Sequence, residues 1–152
     1  MEEGQTAPDF RLALGGGGFR TLDELLAEGP VVLVFYKVTC PTCQMTLPYL
    51  ERLQGGALRM FAICQDDAER AREFADAFEV KLPNLFDSVD EGYPASNAYG
   101  VTHVPSMYLV ERDRRISWEW VGFQKKKLEQ LAERAGRMIF TVADQVPESK
   151  SG

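Results

Sequence analysis

Two cysteines stand two residues apart in VTCPTCQMTLPYL, Val38 to Leu50, directly after an apolar run and where a helix is expected to begin. Sulfurs at that spacing can be a redox dithiol, half of a metal site or a structural disulfide. The chain has three cysteines, Cys40, Cys43 and Cys64, too few and too unevenly spaced for a disulfide scaffold. In a reducing cytosol a Cys-x-x-Cys pair is more often catalytic or metal-binding than structural. Unpaired N–H groups and the helix dipole at a helix amino end favour an anion, and so favour a thiolate at Cys40. Each unit by which a thiol pKa falls below about 8.5 reflects about 1.4 kcal/mol of differential stabilisation. Cys43, one turn further in, is expected to be less exposed yet within reach of any disulfide formed on Cys40. A nucleophile and a resolver are the two parts that thiol–disulfide exchange needs.

Those sulfurs need a scaffold, and the hydrophobic pattern supplies one. Phe10–Leu14 and Phe19–Arg20 can pair as a hairpin across the turn Gly15–Gly18. No Gly-Lys-Ser/Thr follows those glycines, so they do not read as a phosphate-binding loop. TLDELLAEGP reads as a short helix, with Thr21 and Glu24 in capping-box spacing and Gly29-Pro30 as its stop. The unbroken apolar run Val31–Tyr36 predicts a strand covered on both faces, as in the middle of a parallel sheet. A helix over Cys40–Gln54 follows, kinked at Pro48, then a second buried strand over Leu58–Ile63. DDAERAREFADAF gives the next helix, with Asp66 and Glu69 as a possible capping box. Pro83–Pro94 is irregular and leads to a short helical piece, Ala95–Tyr99. Pro105–Val110 and Ile116–Val121 read as hairpin strands, and Trp118 and Trp120 fall on the same face as Ile116. A last helix carries Leu128, Leu131, Ala132 and Ala135 on one face. This order predicts an α/β fold, a central mixed sheet with helices on both faces and an N-terminal β-hairpin extension. One domain over residues 1–140 is expected, followed by a polar, loose tail over residues 141–152.

The bulk properties narrow the function. A chain of 152 residues with 45% hydrophobic residues can bury a core of its own. Its net charge of −6 argues against nucleic acid as a partner, and Lys125-Lys126-Lys127 reads as the solvated start of a helix. Val31–Tyr36, the longest apolar run, is far too short to span a membrane. The acidic start MEEGQTAPDF lacks the order of a signal peptide, so a cytoplasmic location is expected, or an extracytoplasmic one if a leader was removed.

CPTC after a buried strand, Pro48 five positions after Cys43, and HVPS just before a strand resemble the thioredoxin-like superfamily. The opening APDFRL and the stretch FAICQDDAERAREFADAF are similar to its redoxin (AhpC/TSA) and TlpA/ResA-like branch. The resemblance runs from about Ala7 to Gly136. It implies a thioredoxin-like fold and thiol–disulfide exchange with a disulfide-containing protein or a small thiol, recharged by a thiol or reductase electron donor. It also implies a cis Pro105 lying against the dithiol, with substrate contacts at Thr39, Pro41, Thr42 and Val104. No organic cofactor is called for. Two positions depart from the pattern: Thr39 replaces an aromatic residue before the first cysteine, and Val34 replaces the buried aspartate of thioredoxins. In the TlpA/ResA-like branch an acidic residue after the next strand lies near the dithiol. Here that is Asp66, with Asp67 second, and a helix cap is the competing role for Asp66. Lys37 could add positive potential near Cys40 or simply be solvated, and Cys64 reads as a core thiol.

Two rival functions share the fold. A peroxiredoxin-type peroxidase expects Pro-x-x-x-Thr-x-x-Cys, and neither cysteine fits: the threonine position falls on Cys40 or on Lys37. A Sco-like copper site would use Cys40, Cys43 and His103, but Sco proteins carry three residues between their cysteines.

Overall fold

The computed structural model describes residues 1–152. Val31–Tyr36 forms strand β3 inside the sheet, buried at every position. It is flanked by β4, Arg59–Cys64, in parallel and by β6, Ser106–Val110, in antiparallel. Because side chains alternate along a strand, Val32, Val34 and Tyr36 enter one apolar cluster while Val31, Leu33 and Phe35 enter the other. That double burial is why this run has no polar alternation.

The sheet continues outward on both sides. β1, Arg11–Leu14, and β2, Phe19–Thr21, form the expected hairpin, and β5, Asn84–Phe86, joins it to β4. β7, Ile116–Val121, completes the other edge, giving seven strands in the order β2-β1-β5-β4-β3-β6-β7. Three helices, α2 (Pro41–Glu51), α3 (Ala68–Phe78) and α5 (Lys125–Ala135), contribute to the first cluster. Two shorter ones, α1 (Leu22–Leu26) and α4 (Pro94–Tyr99), contribute to the second. The arrangement is the mixed, doubly covered α/β sheet that the element order predicts. No helix is long and apolar enough to cross a membrane.

Local expectations hold where side chains alone set them. Thr21 and Glu24 make both halves of the capping box on α1. At α3 the expectation fails: Asp67, not Asp66, is the cap, its carboxylate accepting the Arg70 N–H at 2.9 Å. Asp66 is engaged elsewhere, so it cannot close that turn. On β7, Ile116 and Trp118 belong to opposite clusters. The register shifts between Leu109 and Val110, which pair with Trp118 and Ile116 respectively, and this irregularity absorbs Ser117 and turns the strand over.

The polar tail is exposed over its last five residues, but it is not without structure. Ser149–Lys150, β9, pairs in antiparallel with β8, Phe123–Gln124. Nearer the core, Asp144 accepts a 2.7 Å bond from Arg52 and caps the Thr141 N–H. The Arg52 bond and the Thr141 N–H hold the Asp144 carboxyl well below the usual range.

Candidate active site

β3 ends at Tyr36, and the loop Lys37–Thr39 carries the chain into α2. Cys40 is the N-cap, with extended backbone, and Pro41 occupies the first turn, where its missing N–H costs nothing. The Cys40 sulfur accepts the Cys43 N–H at 3.1 Å, satisfying one of the donors a helix start leaves free. The Cys40 thiol in turn donates to the Val104 carbonyl at 3.4 Å. The Val104–Pro105 peptide bond is cis. Pro48 lies within α2.

The two sulfurs live in different surroundings. Cys40 is half-buried, whereas Cys43 is fully enclosed. Burial first, then the hydrogen bond with Cys40, pushes the Cys43 thiol far up; a backbone hydrogen bond with Lys37 opposes the rise. Cys64, also fully enclosed, is pushed up to about 11 by burial, partly offset by bonds from the Asp66 backbone and the Tyr36 side chain. At neutral pH both are thiols.

A cavity of about 460 Å³ opens beside the Cys40 sulfur, walled by Lys37, Pro41, His103 and Val104 among others. Thr39 faces a separate groove, with Phe74 and Phe78 at its apolar wall. Thr42 is buried, and its hydroxyl donates to the Ser151 carbonyl at 2.6 Å. Asp66 follows β4, and its Oδ2 accepts the Val38 N–H of the loop before Cys40 at 2.8 Å.

The possible ligand set Cys40, Cys43 and His103 does not converge. His103 is exposed and bonded through Nδ1 to the Thr102 hydroxyl, whereas Cys43 is buried, and no group of three or more His, Cys, Asp or Glu is placed to hold a metal ion.

One wall of the cavity has no signal in the sequence. Gln65 donates to the Ser96 hydroxyl at 2.8 Å, and that hydroxyl donates to Asp87. Asp87 is wholly buried and also accepts the Ala95 and Ser96 N–H groups, each at 2.8 Å. Eight residues separate this carboxylate from the helix it caps, too far for a capping pattern to reveal it.

The AhpC/TSA family model matches residues 4–119. Among curated proteins, the thiol-disulfide oxidoreductase ResA of Bacillus thuringiensis is 28% identical over 138 residues, covering 88% of this chain and 76% of ResA. A candidate thiol:disulfide interchange protein DsbE from Chlorobium tepidum superposes with a TM-score of 0.75 at 25% identity, over 89% of this chain and 98% of the other. A candidate protein disulfide isomerase from Bacteroides thetaiotaomicron shares the fold, with a TM-score of 0.77 at 21% identity over 91% of each chain.

Proposed function

Because this chain belongs to the AhpC/TSA family and is a thiol–disulfide oxidoreductase of thioredoxin-like fold, we propose that Cys40 is its nucleophile and Cys43 its resolving thiol. The observation that carries this assignment is the asymmetry of the pair: the Cys40 sulfur borders the cavity and accepts the Cys43 amide, while Cys43 is enclosed behind it. A thiolate at Cys40 attacks one sulfur of the substrate disulfide. The substrate S–S bond breaks, its distal sulfur leaves as a thiolate that takes a proton, and Cys40 is left in a mixed disulfide. Cys43 then gives up its proton and attacks the Cys40 sulfur. The Cys40–Cys43 disulfide forms, the second substrate thiol departs, and the protein has lost two electrons and two protons to the substrate.

A thiol held neutral by burial needs a proton acceptor for that second step. Asp66 takes this role, its carboxylate bound to the Val38 amide two residues before Cys40. Val104 and Pro105 align the substrate chain beside Cys40, with Pro41 on the wall of the same cavity. A small thiol or a reductase returns the electrons, and the poise of the compartment sets the net direction.

Reduction of an insulin-type disulfide by the wild type, Cys40→Ser and Cys43→Ser tests the roles. Cys40→Ser is expected to be inactive and Cys43→Ser to accumulate the mixed disulfide. Full activity in Cys40→Ser would overturn the assignment.

A further inference from the structure

The last five residues of the chain lie along the rim of the dithiol. The β8–β9 pairing is extended by the Lys125 N–H, which donates to the Glu148 carbonyl at 2.8 Å. Further on, the Thr42 hydroxyl, on the first turn of the cysteine helix, holds the Ser151 carbonyl. Gly152 then packs on the Val104 carbonyl, the group to which the Cys40 thiol donates, and borders the same cavity as Cys40.

Every polar contact the tail makes here uses its main chain, and the side chains of Glu148, Ser149, Lys150 and Ser151 are exposed. The groove therefore reads an extended backbone rather than a sequence. It demands small residues at two points. A Cβ on Gly152 would stand 2.5 Å from the Val104 oxygen, and one on Gly122, whose φ is +83°, would stand 2.7 Å from the Lys150 oxygen. Arg52 grips Asp144 four residues upstream of Glu148, so the strand is tethered beside its groove. A tethered occupant competes at a high effective concentration.

We propose that residues 148–152 are a resident strand in the groove beside Cys40, and that a disulfide carried on an extended polypeptide must displace this strand to reach it. The proposal rests on the reading of Cys40 as nucleophile and adds to it a control on access. A small disulfide reaches Cys40 through the cavity and needs no strand bed; a polypeptide needs the backbone partners that the tail now occupies.

The test compares the full chain with a chain lacking residues 148–152 on two substrates, a flexible peptide bearing one disulfide and dithiobis(2-nitrobenzoate). If the strand is seated about nine-tenths of the time, only about one-tenth of molecules accept the peptide and its apparent affinity falls about tenfold. Deletion is expected to raise kcat/KM for the peptide about tenfold, through KM, and to leave the small disulfide within about twofold. Gly152→Ala, which pushes the strand off the Val104 carbonyl without shortening the chain, is expected to move the peptide value the same way and serves if the deletion disturbs folding. An unchanged or lower peptide kcat/KM in both variants would overturn the proposal, as would equal changes on the two substrates. Failure of the full and shortened chains to reduce either substrate would overturn the dithiol reading itself, and the proposal with it.

Discussion

Replacing Asp66 by asparagine and by alanine separates two things its carboxylate does. The 2.8 Å bond from the Val38 N–H is charge-assisted and partly buried, and such bonds contribute about 1.5–3 kcal/mol. Partial exposure at Asp66 places this one at the low end, about 1.5 kcal/mol. Asparagine keeps an oxygen that accepts the Val38 N–H, so Asp66→Asn retains the tether and loses only the base. Asp66→Ala loses both, and freeing the loop that delivers Cys40 is expected to cost roughly a further tenfold, at about 1.4 kcal/mol per decade. General-base contributions are typically about 10²–10⁴-fold, so Asp66→Asn is expected to slow resolution of the mixed disulfide by at least about a hundredfold. Stopped-flow decay of a chromophoric mixed disulfide on Cys40 isolates that step. If Asp66→Asn decays at the wild-type rate while Asp66→Ala is about tenfold slower, Asp66 is only a tether and the proton goes elsewhere.

Iodoacetamide at pH 8 should label the native reduced protein once, at Cys40, because Cys43 and Cys64 are fully enclosed; peptide mapping that finds early label on either would contradict their burial. Cys64 stays neutral up to about 11 in the fold but ionises near 8.5 once unfolded. Its contribution is therefore whole below about pH 8.5 and is lost as pH rises toward 11, a change of about 3 kcal/mol, with Cys43 acting in the same direction. Urea melts between pH 7 and 10.5 should show the decline, shallower in Cys64→Ala; an identical decline in that variant would refute the attribution. Asp87→Ala strands three buried donors and is expected to cost about 3–5 kcal/mol, read as a drop in the urea midpoint, whereas a loss under about 1 kcal/mol would mean that the Asp87 cap is dispensable.

How much of this was legible depended on the distance over which each feature is encoded. The Thr21–Glu24 box, the doubly buried β3 and Cys40 at a helix start rest on neighbours a few residues apart, and the chain spells them out. Asp66 and Asp67 are equally good caps by type, and only the long-range bond to Val38 decides between them. The turned-over face of β7 depends on how Leu109 and Val110 register across the sheet, which periodicity along one strand does not contain. The Asp87–Ser96–Gln65 wall and the strand at Ser149–Lys150 are likewise contacts between distant segments, and polar composition alone made that tail read as loose.

One sulfur both closes the first turn of α2 and borders the cavity where exchange begins. A thiolate accepts an amide hydrogen more strongly than a disulfide sulfur does, so the reduced and oxidised proteins differ in how firmly that turn is knotted. By a thermodynamic cycle the difference appears in the reduction potential, about 30 mV for every 1.4 kcal/mol. Substitutions at Pro41 or Thr42 that tighten or loosen the turn will therefore retune the oxidising strength of the pair while leaving both sulfurs in place.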